Sequence, residues 1–427
     1  LSVCAIDNTG KEFTFCNDSE IQILEQFKDL LENYDIIIGW NSTKFDSPYL
    51  KARMQKNNIF HSFKSLIEID LMTVFMASFY AKIRQGKEYI TSYSLDNIAR
   101  TFIKDAKLEI KELDIGFGGR IYNLFVNDRQ SLLDYNLHDC KLLKRIDEEF
   151  NLIKNEIMIA QLVKVPLSKT RSPNPIIDFL VLRKARKKGV HLPSKNFKVE
   201  KAHFEGGWVF DAVPGMYSDI LIADFSSLYP SIIRNYNISP DSLLSSDYTG
   251  ECITTPLGFK FSKTTGILTE ILDELTDLRL KYKRERREAK DAGNLILEKE
   301  KELKDLSTKV VILSAYGIFA SAYFRWFNLD IARNITMTGQ ALIKHVAKRL
   351  NESRYNVIYG DTDSVMISTN GYENLDKIRN IVDSAILEKY KESNSNRANN
   401  LKMEFEKFAS KFVLLSKKKY IMKVDAE

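Results

Sequence analysis

Apolar residues recur along this chain with two spacings. In EIQILEQFKDLLEN, residues 20–33, they return every three or four positions, which predicts a helix with one buried face. Short apolar runs between polar turns predict strands. Residues 1–15 predict two strands around the turn Asp7-Asn8-Thr9-Gly10. YDIIIGWN, residues 34–41, predicts a buried strand leading into a helix that runs through Arg53. This alternation of strand and helix is expected to continue to about residue 150, the pattern of an α/β domain. The three prolines of LVKVPLSKTRSPNP, residues 162–175, mark a linker, and IIDFLVLRKARKKG after it predicts a helix with a basic C-terminal half.

The second half predicts two long, densely charged helices over 267–292 and 295–318, joined at Asp291-Ala292-Gly293-Asn294 into an antiparallel hairpin. A helix over 330–350 follows, then a strand hairpin in YNVIYGDTDSVMIS, a helix in IRNIVDSAILEKYKE and a strand pair in KFVLLSKKKYIMKV. NSNRANN, residues 394–400, is a polar loop that suggests no chemistry. The longest uncharged stretch, VVILSAYGIFASAYF at 310–324, is too short to span a bilayer and predicts a buried helix.

Composition narrows the class. A length of 427 residues suggests about three domains, and a hydrophobic fraction of 44% supports real cores. A net charge of +6 permits an anionic partner without requiring one. Cys4, Cys16, Cys140 and Cys252 are scattered, and the five histidines lack ligand spacing. Structural zinc and a disulfide framework are therefore not expected, which suits a reducing cytosol. The expected location is the cytoplasm (a host's, if the source is viral), with no membrane partner and no signal peptide. The chain starts at Leu1 rather than Met, and both ends lie inside apparent strands, so a piece of a longer polypeptide is expected.

The chemistry concentrates in carboxylates. Asp224 ends the apolar run SDILIADF, and Asp361 and Asp363 lie in YGDTDS between two apolar runs. Two residues apart in an extended segment, Asp361 and Asp363 would share a face. If these strands are neighbours, the carboxylates converge and repel unless a cation lies between them. Two Mg²⁺ ions about 3.5–4 Å apart, clamping a phosphoryl displacement, would resolve that repulsion. Taken singly, an acidic turn is as often just solvated, and an Asp at a strand end as often caps the next helix.

Taken together, DFSSLYPSII, KVVILSAYG and YGDTDSV resemble, in that order, motifs A, B and C of family B DNA polymerases. FEGGWV, NISP, MEFEKF and SKKKY agree, and the resemblance, which is to the replicative enzymes of large tailed phages and their relatives, covers nearly the whole chain. It implies that Asp224 and Asp363, with the backbone carbonyl of Phe225, hold the metals, and it leaves the role of Asp361 open. Tyr229, flanked by Ser227, Leu228 and Pro230, would be the steric gate under the incoming sugar. Arg279, Lys283 and Lys309 would grip the triphosphate. Arg279, Lys283, Arg286 and Lys290 follow helical spacing and would form one basic stripe. Tyr316 and Gly317 would lie under the nascent base pair. Gly206 and Gly207 would let backbone approach the template, and Lys417, Lys418 and Tyr420 would contact the duplex. Leu313 departs from the family, which usually has Asn there.

GWNSTKFDSPYL, with Asp46, and YNLHDCKLL, with Tyr135 and Asp139, resemble the second and third motifs of the fused 3′–5′ exonuclease. Asp46 and Asp139 would bind divalent metal while Tyr135 orients a water. The first motif, Asp-x-Glu, is absent, and Asp7 in its turn is no substitute. That pair is expected upstream of Leu1, and the exonuclease is expected to be inactive without it.

The expectation is a multidomain protein of α/β and α+β class. An RNase H-like exonuclease domain (1–160) and a linker with connecting helix (161–200) precede a right-hand palm (201–260 and 321–427), which helical-hairpin fingers (261–320) interrupt. A thumb is expected after Glu427, and with it a route to a sliding clamp. The implied activity is Mg²⁺-dependent addition of dNTPs to a primer on template DNA. A protein-primed member of the family needs a larger insertion than 241–266. A nucleotide cyclase would lack SLYPSII and the exonuclease motifs. A catalytically dead, DNA-binding relative would normally lose a metal carboxylate.

Overall fold

The computed structural model describes residues 1–60, 66–84, 90–110, 116–195, 207–369, 371 and 374–426. They form two compact units. The first comprises Leu1–Gln161 with Pro166–Arg171, the second Leu162–Val165 with Ser172–Glu427. The chain thus changes unit within the proline-bearing segment.

In the first unit, β1 (Ser2–Ile6) and β2 (Glu12–Cys16) form an antiparallel hairpin. Asp7 closes it, accepting from the backbone N–H groups of Thr9 (2.8 Å) and Lys11 (2.9 Å). This is the turn role the motif suggested, and it leaves Asp7 without a catalytic one. Helix α1 (Glu20–Leu31) is capped by Ser19. β3 (Ile36–Gly39) pairs in parallel with β4 (Ile67–Asp70), and α2 (Asp46–Lys56) lies between them in sequence. Strand–helix alternation ends there, short of the expected residue 150. α3 (Leu71–Arg84), α4 (Leu95–Ile98), a π-helical turn at Ala99–Ile103, α5 (Phe117–Asn127), α6 (Arg129–Phe150) and α7 (Leu152–Val163) follow. β3 is only half-buried, because its sheet has two strands. The core centres on Phe75, whose ring lies 5.4–6.0 Å from those of Trp40, Phe102 and Phe150.

The second unit opens with α8 (Pro173–Lys187). Strand β5 (Gly215–Phe225), helix α9 (Leu228–Asn235) and the small pair β6 (Ile253–Thr254) and β7 (Lys260–Phe261) follow. The hairpin helices α10 (Ile267–Asp291) and α11 (Leu295–Gly317) precede α12 (Leu329–Glu352), β8 (Val357–Asp361) and β9 (Ser364–Ser368). Last come α13 (Leu375–Glu392), β10 (Met403–Ser416) and β11 (Lys419–Ala426). Five strands make an antiparallel sheet in the order β11-β10-β5-β9-β8. β5 is central because Ile220 to Ala223 are apolar without interruption and buried on both faces. Ile220 and Ile222 pack with Tyr359, Met366 and Phe412 on one face.

The α10–α11 hairpin is antiparallel as its sequence predicts. Ion pairs link the two helices: Arg279–Asp305 at 2.7 Å, Glu285–Lys301 at 2.8 Å and Arg286–Glu302 at 2.8 Å. Gly293 supplies the positive φ (+68°) that the reversal needs. The expected helix through 310–324 instead stops at Gly317, and Val310 and Leu313 stay about half exposed. α11 packs on α10 and also against α8 and α9, and Val310 and Leu313 lie off those contacts. The polar loop 394–400 has a structural task that its composition hides. Arg397 donates to the Arg234 carbonyl and to Thr265 Oγ1 and pairs with Asp273, while Asn399 accepts from Asn235 at 2.9 Å.

Asn237 locks the foot of the hairpin. It is fully buried with φ +53°. Its Nδ2 donates to the carbonyls of Ser262 (2.6 Å) and Thr264 (2.7 Å), and its Oδ1 accepts from Gly266 N–H (2.9 Å). Asn237→Ala leaves these three backbone groups without that partner and is expected to cost about 3 kcal/mol or more. Denaturant unfolding should show a lower midpoint at unchanged slope, and a midpoint equal to the parent's would refute this account.

Candidate active site

The site is built where β5 ends. Asp224 stands opposite Ser364 of β9, and the Phe225 N–H donates to the Asp363 carbonyl at 2.9 Å. The turn joining β8 to β9 is therefore bonded to the last residue of β5. Thr362 takes φ +58° and the Asp363 N–H approaches the Asp361 carbonyl at 2.6 Å. The chain reverses between the two acids. The extended geometry that would give Asp361 and Asp363 one face does not hold, and their environments differ. Asp361 Oδ1 accepts from Lys418 Nζ and Thr362 Oγ1, each at 2.9 Å. Asp363 is half-buried. Burial pushes its carboxyl up to about 6, and the charges of Asp361 and Glu406 add to the rise.

A second segment braces this turn. Thr362 N–H donates to the Trp208 carbonyl and Phe210 N–H to the Gly360 carbonyl, both at 2.9 Å. Gly207 lies so close that a Cβ would stand 2.5 Å from Thr362 Cγ2. Here the close approach that needs glycine is to the acidic turn itself. Gly206 lies outside the described residues. The Trp208 ring, 4.1 Å from that of Phe210, also carries Lys344 Nζ at 4.3 Å.

Above the acids, Ser227 begins α9 with φ +57°. Leu228 is buried, and the Tyr229 ring stacks on Tyr316 of α11 with centroids 4.0 Å apart and planes at 17°. Burial pushes both hydroxyls up, that of Tyr316 to about 12. The charges of Asp363 and Asp361 add to the rise at Tyr229. Gly339 of α12 lies beneath, where a Cβ would meet the Tyr229 ring at 3.3 Å.

The hairpin cations divide. Arg279 is bonded to the buried Asp305, and Arg286 to Glu302. The expected open stripe is therefore partly spent across the hairpin. Lys283 and Lys309 are exposed, with no ion pair among the described residues. Gly317, at the end of α11, is exposed. Near the β10–β11 turn, Lys417 pairs with Asp211 at 2.8 Å, and Tyr420 is half-buried against Phe412, ring centroids 5.2 Å apart.

In the first unit, Asp46 opens α2, and Tyr135 and Asp139 lie one turn apart on α6. Burial pushes the carboxyl of Asp46 up, and Asp70 and Glu68 repel it further. Burial also raises Asp139, against the pull of Lys107, whose Nζ is 2.5 Å from Oδ2. The same ammonium lies 5.5 Å from the Tyr135 ring centroid. Lys107 is the residue that sequence reasoning missed: it stands alone in a loop and repeats nothing. Asp70 is fully buried and holds the turn before α2, accepting from Asn41 N–H (3.0 Å) and Thr43 Oγ1 (2.7 Å). It is the acid that ends the apolar run of β4.

Among the described residues, no group of three or more His, Cys, Asp or Glu side chains is arranged to hold a metal. The available donors at the end of β5 are two carboxylates, Asp224 and Asp363, and backbone oxygen. These are hard oxygen ligands of the kind Mg²⁺ takes together with substrate phosphates. Burial, with the charges of Asp361 and Glu406, makes the ionised Asp363 costly, a cost that a bound cation would offset, so the residues fit the ion.

A central antiparallel sheet carries these acids at one end, and the helical hairpin contributes Tyr316 to the stack on Tyr229. The sequence profile of DNA polymerase family B matches residues 166–427, and that of the RNase_H superfamily matches residues 1–151. The chain is 30% identical over 454 residues to the DNA polymerase delta catalytic subunit of Glycine max, spanning 94% of this chain and 40% of the relative. It is 30% identical over 356 residues to the DNA polymerase of Paramecium bursaria Chlorella virus NY2A, across 78% of this chain and 38% of the relative. The structure of the family B DNA polymerase from Pyrobaculum calidifontis shares the fold, with a TM-score of 0.72 at 22% identity over 100% of this chain and 56% of that one. This chain belongs to DNA polymerase family B. It spans about two fifths of the length of these two relatives.

The raised carboxyl of Asp363 makes a stability prediction. Its folded value lies above the ordinary carboxylate value of 3.8, so the folded chain binds that proton more tightly. This contribution is present at acid pH and is lost as pH rises through about 6. Without divalent cation, Asp363→Asn should therefore be more stable than the parent at pH 7, by about 2–3 kcal/mol. The gain should shrink toward pH 4. Paired unfolding curves at both pH values test this, and an equal or negative difference at pH 7 contradicts it.

Proposed function

We propose that this chain carries the polymerase site of a DNA-directed DNA polymerase, adding dNTPs to a primer 3′-OH on template DNA. The observation that carries the reading is the junction at the end of β5, where Asp224 and Phe225 meet Asp363 across a backbone hydrogen bond. Asp224, Asp363 and the Phe225 carbonyl would hold divalent cations, which when bound offset the charge of the reacting phosphates and lower the cost of ionising the 3′-OH. The protein's own part is positional. The register of β5 against β9 holds the acids in place, and the brace of Gly207 and Trp208 stops the turn from shifting. Tyr229, backed by Gly339 and stacked on Tyr316, sets a rigid floor beside the sugar. A ring held there excludes a 2′-hydroxyl by bulk. Lys283 and Lys309, unspent on ion pairs, are available to the triphosphate. Arg279 is available only by leaving Asp305.

The RNase H-like unit offers Asp46, Asp139 and Tyr135 to a metal-dependent 3′–5′ exonuclease. Lys107 pairs with Asp139 there. The reducing cytosol suits the four free cysteines.

Primer extension tests the polymerase reading, in this chain or in any longer polypeptide that carries it. Asp224→Asn and Asp363→Asn should each abolish incorporation while circular dichroism stays that of the parent. Extension within a few-fold of the parent would sink the assignment. Tyr229→Ala should raise the ratio of rNTP to dNTP incorporation efficiency by at least tenfold, about 1.4 kcal/mol of lost discrimination. A ratio equal to the parent's would leave Tyr229 as a core residue.

A further inference from the structure

The polymerase reading uses only the inner part of the hairpin. Farther out, a second feature stands apart from it. Lys283, Arg286, Arg287 and Lys290 line an open cavity of about 280 Å³ between α10 and α11, with Glu298 and Asp305 as its acids. Asp305 is bonded to Arg279, and Arg286 to Glu302. That leaves Lys283, Arg287 and Lys290, all exposed and with no ion pair among the described residues. They fall at i, i+4 and i+7, so they stand in one row on α10. Seven residues of helix carry that row about 10.5 Å along the axis, which is longer than a triphosphate tail. Lys290 thus stands outward of Lys283, toward the tip of the hairpin.

We propose that Arg287 and Lys290 form an outer phosphate-binding site, which holds the triphosphate of a nucleotide before it reaches the acidic turn. The assignment of the ligand as a nucleotide rests on the polymerase reading; the binding of a polyphosphate does not. Three cations in a row, set against the lone unspent carboxylate of Glu298, attract an anion of several charges. A guanidinium can take two phosphate oxygens at once, and the flanking ammonium groups adapt to the rest. Solvent exposure keeps the grip weak, which suits a site that must release its ligand inward. The cavity, about 280 Å³, is too small for a duplex.

The probe is inorganic tripolyphosphate, titrated calorimetrically into the whole chain at low salt. R287A/K290A should weaken binding at least tenfold, and R287K/K290R should restore most of it. Asp363→Asn, inert in extension under the polymerase reading, should still bind tripolyphosphate through Arg287 and Lys290, so failure of that reading and failure of this site are separable. In primer extension, R287A/K290A should raise the KM for dNTP several-fold at unchanged kcat. The effect should vanish at high salt, which screens exposed charges. Unchanged tripolyphosphate binding overturns the site. Weakened binding with an unchanged KM overturns the nucleotide assignment. Loss of affinity for a single-stranded oligonucleotide alone would hand the cations to the DNA strand and overturn the proposal.

Discussion

One backbone hydrogen bond, from the Phe225 N–H to the Asp363 carbonyl, joins the two halves of the candidate site, which lie far apart in sequence. It can form only if β5 and β9 hold their register. A slip by one residue would turn Asp224 to the opposite face and bury it among apolar side chains. The register is held by burial: Ile220 to Ala223 lie between β9 and β10 with almost no exposure. Packing of those four residues is thus what aims a carboxylate that none of them touches chemically. The turn's own shape is set from the other side, where Gly207 admits Thr362 at a distance no Cβ would allow.

The cost of that placement is electrostatic. Asp363 loses water, and Asp361 and Glu406 repel its ionised form. Lys418 relieves part of this by bonding Asp361, one acid along the turn. The same pattern recurs in the first unit, where Lys107 offsets Asp139 while Asp46 feels Asp70 and Glu68. In each unit, burial raises carboxyls above their ordinary range, with a lysine as partial compensation. Perturbed acids with a specific charge partner are what a functional site requires.

Much of this was legible in the sequence, for stated reasons. The helical hairpin, the strand pair around YGDTDS and the continuous apolar run of β5 all follow from period and turn chemistry. The Asp361–Asp363 geometry was misread because the two-residue spacing implies one face only in an extended chain, and Thr362 takes a left-handed conformation. For the basic stripe, helical spacing puts residues on one face without saying what that face meets. Arg279 and Arg286 meet acids of α11. NSNRANN passed as an idle loop because its worth lies wholly in tertiary hydrogen bonds. Lys107 carried no local signal at all.

The hairpin's two ends differ in how firmly they are held, and this bears on how it can work. Its foot is pinned by Asn237 and by the Arg234–Asp273–Arg397 group, whose arginine side chains are 13% exposed. Removing one member of such a group strands its partners in low dielectric. Farther out, the paired charges are more exposed: Arg286 and Glu302 at 38% and 41%, Arg284 and Glu288 at 70% and 67%. Exposed pairs of that kind contribute about 0–1 kcal/mol each. The outer cations can therefore turn toward an arriving anion at little cost, while the foot holds the Tyr229–Tyr316 stack over the acids. Under the proposed function, a rigid base and a loosely paired outer end would let one helical hairpin combine a fixed floor for the sugar with a yielding grip on phosphate.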